Sequence, residues 1–230
     1  MRAAIVLLVL QSAGPPVRPP APLAAQLPAA DRPIATIVSP EWSDEATRDR
    51  QREAATVLDL LGVRPGVRVA DLGAGLGYYA VRVARRVGKE TPVYAEDILP
   101  EYLDRLRARV RKEGLAQVQV IAGTPDDPRL PAASLDVAIL SHVYHEISEP
   151  YRFLWNLAPA FAGGGRLAIL DMDRPTQWHG TPPARLRCEL AAVGYREVSF
   201  RDLAPADGYL AVFEAPAERP AAGSIRGCRG

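Results

Sequence analysis

The chain has 230 residues, of which 48 % are hydrophobic and 24 % charged, and its formal net charge is +1 at pH 7. This composition is typical of a globular domain that buries a sizeable core. The balanced charge, with no run of Lys or Arg, argues against a nucleic-acid partner. Two cysteines are too few for a structural zinc site or a disulfide framework.

The N-terminal region, residues 1–25, begins with MRAAIVLLVL, in which one positive charge is followed by an apolar run too short to span a bilayer. It resembles a secretory signal, and the alternatives are a misassigned start codon or an interfacial anchor. Export and a cytoplasmic location therefore both stay open, and any membrane contact is expected only through this segment. The Pro-rich residues 26–41 are predicted to be an unpacked linker.

Beyond an amphipathic lead-in helix that ends at Gly62, short apolar runs alternate with helical ones. This alternation predicts crossover units and a mostly parallel α/β sheet in a domain spanning residues 42–215. Two consecutive strand-like runs near the end predict an antiparallel hairpin. Residues 216–230 are expected to be a disordered tail, in which any pairing of Cys228 with Cys188 would be loose.

A glycine-rich turn follows the first predicted strand, in the stretch DLGAGLGYYA. Gly73, Gly75 and Gly77 would expose backbone N–H groups at the carboxyl end of that strand, where ligands of open α/β sheets bind. A dinucleotide fingerprint would require a third glycine at the position of Tyr78. A nicotinamide-dependent oxidoreductase is therefore disfavoured, while a tight turn without a ligand stays open.

The spacing Asp71-x-Gly73-x-Gly75-x-Gly77 resembles the first motif of class I S-adenosylmethionine-dependent methyltransferases. Asp97 ends the next predicted strand, where an acidic residue of that family accepts both ribose hydroxyls. The resemblance covers residues 45–215 and looks like a bacterial branch of uncharacterised predicted methyltransferases. It implies a Rossmann-like, doubly wound, seven-stranded sheet with an antiparallel last strand, S-adenosylmethionine as cofactor and a small-molecule acceptor. The cofactor-binding residues that it implies are Asp71, Gly73, Gly75, Gly77, Tyr78, Asp97 and Asp126.

The third-strand region departs from the family, because Thr124 replaces an expected acid. Asp126 is assigned to the adenine, and its alternative is a cap of a surface turn. Together with the signal-like N-terminus, this departure motivates a rival hypothesis, a degenerate and non-enzymatic cofactor-binding domain of the same fold.

The stretch SHVYHEI, after the fourth predicted strand, holds two of the three histidines. His142, His145 and Glu146 are the candidate catalytic residues, because an imidazole can take a proton and a carboxylate can orient it. A hydrogen-bonded loop anchor is the alternative for His145 and Glu146. Metal is not predicted, since spacing marks no further ligand beside these residues.

The acceptor side of the pocket is assigned to Tyr144 and to the later stretch TQWHGTPP. Trp178 and His179 are expected to line the acceptor site, and the alternative is that they pin the loop. Thr181 is expected to cap a helix whose first residue is Pro182. The acceptor itself and the oligomeric state are not predicted.

Overall fold

A computed structural model of the chain describes residues 27–37, 44–204 and 208–229. The predicted signal segment, the expected domain start at Trp42 and most of the turn before the last strand lie outside these residues.

A single seven-stranded sheet forms the centre of the fold, in the order β3-β2-β1-β4-β5-β7-β6. Strands β1 to β5 are parallel, and β7 runs antiparallel to both of its neighbours. This topology confirms the predicted doubly wound sheet with an antiparallel end. The strands are β1 Val69–Leu72, β2 Val93–Asp97, β3 Val118–Ala122, β4 Leu135–Ser141, β5 Phe161–Asp171, β6 Arg196–Asp202 and β7 Tyr209–Glu214.

Helices cover both faces of the sheet. They are α1 Glu45–Arg50, α2 Glu53–Leu60, α3 Tyr78–Val87, α4 Pro100–Lys112, α5 Pro150–Leu157 and α6 Pro183–Ala192, with 3-10 turns at Tyr144–Glu146, Ala158–Ala160, Thr176–Trp178 and Ala222–Ser224. The lead-in helix is divided into α1 and α2, because Arg52 adopts a left-handed φ of 57° between them. Within the described ranges, no helix is long and apolar enough to cross a membrane.

Alternate residues of the central strands pack into two apolar cores, one on each face of the sheet. Val137 and Ile139 of β4 join the core under α2, α3 and α4, whereas Ala138 and Leu140 join the core under α5 and α6. Each fully buried aliphatic side chain contributes about 1.5–3 kcal/mol relative to an exposed one. These two cores hold the carboxyl ends of the strands in one rigid edge.

The N-terminal segment, residues 27–37, packs on the domain, unlike the unpacked linker that its proline content predicts. The Arg32 guanidinium lies 3.0 Å from the fully buried Glu189 carboxylate of α6. Its Nη2 donates to the carbonyls of Tyr144 and Ile147, at 3.2 Å each. A buried ion pair with further hydrogen bonds can hold a segment that is poor in secondary structure.

The described part of the C-terminal tail is also ordered, contrary to the prediction of disorder. Cys228 forms a disulfide with Cys188 of α6, and its backbone N–H donates to the Tyr151 hydroxyl at 2.7 Å. Ala222 and Ile225 are buried in the core beside α5 and α6. A covalent link therefore compensates for the low apolar content of this segment.

Candidate active site

A cleft of about 900 Å³ opens at the carboxyl edge of the sheet. The loop after β1 and the end of β2 line one part of it, and the exits of β4 and β5 line another. The order of the sheet reverses between β1 and β4, which is the position at which open α/β sheets bind their ligands. The cleft is therefore the default binding site of this fold.

The three glycines of the loop all have positive φ, at 65°, 53° and 87° for Gly73, Gly75 and Gly77. A Cβ atom at Gly73 would lie 2.8 Å from both γ-carbons of Val143, and one at Gly77 would lie 2.6 Å from a methyl group of Leu106. The first glycine thus lets the loop touch the exit of β4, and the third lets α3 approach α4. Only Gly73 and Gly75 line the cleft.

Asp71 and Tyr78 flank this loop. The Asp71 carboxylate accepts the Ala80 N–H at 2.8 Å, which fixes the first turn of α3, and burial raises its pKa to about 7. The Tyr78 ring lies under the Arg48 guanidinium, 3.7 Å from its centroid. Both residues line the cleft.

Two adjacent carboxyl groups end β2 and face the same loop. Asp97 accepts the Gly75 N–H at 2.8 Å and the Leu99 N–H at 2.9 Å. Glu96 receives a long contact of 3.4 Å from the Gly73 N–H, and its other oxygen has no hydrogen-bond partner among the described residues. Burial raises the pKa of Glu96 to about 8, so this group is largely protonated at neutral pH.

Asp126 lies outside the cleft lining, in a turn that it stabilises. Its carboxylate accepts the Thr124 hydroxyl at 2.8 Å and an Arg152 nitrogen at 3.3 Å, and the Thr124 hydrogen bond is the main reason that its pKa lies below the usual value. Thr124 and Pro125 are the residues of this turn that line the cleft. The geometry favours the turn-capping alternative for Asp126.

The 3-10 turn after β4 directs its side chains to opposite sides. Tyr144 is fully buried and its hydroxyl donates to Glu189 at 2.8 Å, so it does not reach the cleft to which it was assigned. His142, His145 and Glu146 do line the cleft. Burial lowers the pKa of His142, which favours its neutral form.

His145 is held by Asp171 at the end of β5. Its Nδ1 lies 3.0 Å from one Asp171 oxygen, and the other Asp171 oxygen accepts the Thr181 hydroxyl at 2.7 Å. Thr181 therefore donates a hydrogen bond to the buried Asp171 carboxylate. It is not the helix cap that its sequence context predicts, since α6 begins at Pro183.

The loop after β5 brings His179, but not Trp178, to the cleft. The ring of His179 meets that of His145 edge-on, with their centroids 5.5 Å apart. Trp178 is 64 % exposed and is not one of the residues that line the cleft. Of the two residues assigned to the acceptor side in this loop, only His179 lines the cleft.

Known proteins resemble this chain in sequence and in fold. Residues 69–165 match the family model described as a methyltransferase domain. Over 119 residues the chain is 29 % identical to the ubiquinone/menaquinone biosynthesis C-methyltransferase UbiE of Vibrio campbellii, which covers 51 % of this chain and 46 % of that protein. An S-adenosylmethionine-dependent methyltransferase structure from Aquifex aeolicus superposes with a TM-score of 0.65 at 24 % identity, covering 75 % of this chain and 98 % of that one. Residues 69–165 therefore resemble a class I S-adenosylmethionine-dependent methyltransferase domain.

A second methyltransferase has a higher sequence identity to this chain over a shorter aligned length. The nocamycin O-methyltransferase of Saccharothrix syringae is 38 % identical over 88 residues, which is 38 % of this chain and 31 % of that protein. The chain thus spans about half or less of the length of these two curated relatives.

The residues at the ends of β1 and β2 fit S-adenosylmethionine, the cofactor of the methyltransferases that this chain resembles. The Asp97 carboxylate and the unpartnered Glu96 oxygen can accept the two hydroxyls of a ribose. Close approach to the loop backbone is open because the loop carries glycines at its cleft-facing positions.

Helix α1 contributes to the wall of the cleft, a feature that sequence analysis missed. Arg48 donates to the Glu53 carboxylate at 2.6 Å and to the Ser141 hydroxyl at 3.0 Å. Glu53 also accepts the Tyr79 hydroxyl at 2.9 Å. The polar start of the lead-in helix could have indicated that Arg48 faces the cleft. The acid that ends β5, Asp171, could have indicated the partner of His145.

Proposed function

We propose that this chain is an S-adenosylmethionine-dependent methyltransferase that acts on a small-molecule acceptor. The observation that carries the proposal is the hydrogen bond from the Gly75 N–H to Asp97, which joins the glycine loop to the acid of β2 at one wall of the cleft. S-adenosylmethionine supplies a methyl group activated on a sulfonium, so the protein chiefly has to align the acceptor.

We assign the cofactor to the β1–β2 end of the cleft and the acceptor to the β4–β5 end. Asp97 and Glu96 would accept ribose hydroxyls, and the loop backbone from Gly73 would pack against the amino-acid part of the cofactor. His142, His145 and Glu146 at the exit of β4 lie on the other side of Gly73, against which Val143 packs. We therefore assign the acceptor to the space over β4 and β5.

The acceptor is proposed to have an apolar body. Ile34 and Ile37 of the N-terminal segment, Phe153 of α5 and Met172 after β5 line the cleft, and Ile37 is 46 % exposed. Exposed apolar side chains at the rim of a concave site favour an apolar ligand. The similarity to UbiE, whose name places it in quinone biosynthesis, agrees with a ring-containing acceptor.

The polar group of the acceptor would face His145. Because Asp171 accepts a hydrogen bond at Nδ1, the neutral ring keeps its lone pair at Nε2. That nitrogen can take a proton from an acceptor hydroxyl or bind a cation that holds it.

Calorimetric titration of the full chain with S-adenosylmethionine and with its demethylated product tests cofactor binding. Asp97→Ala is expected to weaken binding by about 1.5–3 kcal/mol, because charge-assisted hydrogen bonds are lost. Asp104→Asn is the matched control, since the Asp104 side chain is 79 % exposed on α4. No binding by the unmodified chain at millimolar cofactor would refute the proposal.

Transfer of a labelled methyl group to a panel of ring-containing acceptors tests the activity separately. Cofactor binding without transfer to any member of the panel would favour the rival hypothesis, a non-enzymatic domain that binds the cofactor.

A further inference from the structure

Three side chains from two separate loops converge at the β4–β5 end of the cleft. One nitrogen of His145, one nitrogen of His179 and one carboxylate oxygen of Glu146 all lie within 4.8 Å of one another. The exit of β4 provides His145 and Glu146, and the loop after β5 provides His179. All three residues line the cleft.

The orientation of His145 suits a metal ligand. Its Nδ1 is held by Asp171, whose second oxygen is fixed by Thr181. Its Nε2 lies 4.0 Å from a Glu146 oxygen. Histidine ligands of metals usually donate their other ring nitrogen to a carboxylate in this way, which fixes the tautomer and raises the basicity of the ligating nitrogen.

The local charges also favour a cation. Glu146 and Asp171 are acidic. Two positive charges stand among the described residues of the cleft lining: Arg174, whose guanidinium donates to the His179 carbonyl at 3.2 Å, and Arg48, which is paired with Glu53.

We propose that His145, Glu146 and His179 form a binding site for a divalent transition metal such as zinc. Two imidazoles and one carboxylate are a ligand set that zinc and its neighbours accept, and three protein ligands leave a coordination position open to a molecule in the cleft. Ligand atoms around a tetrahedral zinc lie about 3.3 Å apart, so side-chain rotations of Glu146 and His179 must shorten the present distances by roughly 1 Å.

The site differs from any that spacing along the chain indicates. Spacing joins His142 to His145 and Glu146, whereas the fold brings His179 to them from 33 residues beyond Glu146. If the proposed methyl transfer is correct, an ion at this position would bind an acceptor hydroxyl and lower the pKa of that hydroxyl. The metal site itself does not rest on the proposed function.

Calorimetric titration of the full chain with zinc chloride, without cofactor or acceptor, tests the site. The expected result is one zinc ion per chain with a dissociation constant of about 1 µM or tighter. His179→Asn and Glu146→Gln should each weaken binding by at least about tenfold, because each removes one of three ligands. Absorption of the cobalt-substituted chain reports whether the ion has nitrogen ligands.

His142→Asn is the matched control. His142 and His179 both have a φ of 57°, which asparagine tolerates, so the two substitutions perturb the backbone alike. Circular dichroism verifies that each variant is folded. Retained zinc binding in His142→Asn, together with loss in His179→Asn, supports the proposal.

Three results would overturn it: no zinc binding at about 100 µM, binding that survives His179→Asn, or binding that depends equally on His142. Because the titration involves no cofactor, a failure of the proposed methyltransferase function would leave these outcomes unchanged.

Discussion

Replacing Glu96 by glutamine should remove part of the pH dependence of folding. In the folded chain burial raises the pKa of this carboxyl from 4.5 to about 8, with the nearby Asp97 and Asp71 adding to the shift. An acid whose pKa is raised on folding stabilises the fold fully below its unfolded pKa and loses that contribution as pH rises through the folded pKa. Between pH 5 and pH 8 the loss from Glu96 alone is about 3 kcal/mol.

Comparison of the two chains separates this effect from the rest of the molecule. Asp71, whose pKa burial raises to about 7, loses stability in the same pH window, but it is common to both chains. Carboxylates with lowered pKa, such as Glu45 and Asp136, stay ionised above pH 5 and contribute no slope there. His142 and His179, whose pKa values are lowered, have the opposite slope near pH 6, but they are common to both chains and cancel in the comparison.

Urea unfolding without cofactor, followed by circular dichroism at pH 5 and pH 8, measures the difference. The unmodified chain should lose about 3 kcal/mol more than Glu96→Gln between the two values of pH. Glu101→Gln, on the exposed start of α4, serves as the control and should keep the slope of the unmodified chain. Equal slopes for Glu96→Gln and the unmodified chain would refute the assignment of a neutral, buried Glu96.

Three further changes probe the supports of the cleft. Gly73→Ala places a methyl group against the exit of β4 at a positive φ, so unfolding free energy should fall by about 1–3 kcal/mol in a urea titration, and cofactor affinity should fall with it. Glu189→Gln leaves the Arg32 charge buried without its partner and should cost about 3–5 kcal/mol in the same assay. Reduction of the Cys188–Cys228 disulfide should cost about 2–4 kcal/mol, and an unchanged melting temperature under reducing conditions would contradict this.

Features carried by short-range pattern could be predicted from the sequence. Strand and helix alternation predicts the sheet, because binary patterning follows the local period of each element. The glycine loop and Asp97 were found because both lie at strand ends, which parallel strands bring to one edge. The hydrogen bond from the Gly75 N–H to Asp97 shows that the two strand ends do lie next to each other.

Features that depend on contacts between distant parts of the chain could not be predicted. Tyr144 was placed in the cleft with its neighbours, but a 3-10 turn directs it inward to Glu189, 45 residues away. The ordering of the N-terminal segment depends on the pairing of Arg32 with the same glutamate across 157 residues. Local composition carries no information about such partners. Proline content alone therefore predicts an unpacked linker, even where a distant residue holds the segment in place.

These long-range contacts meet at His145. From outside, the N-terminal segment holds the backbone of its turn, since Ala35 N–H donates to the His145 carbonyl at 3.2 Å and Arg32 donates to the same carbonyl at 3.3 Å. From inside, Asp171 holds the ring. The ring orientation is therefore fixed through both backbone and side chain, which suits the ligand role that we propose for its Nε2. A disturbance of either the N-terminal segment or the end of β5 would consequently reach the cleft through this one residue.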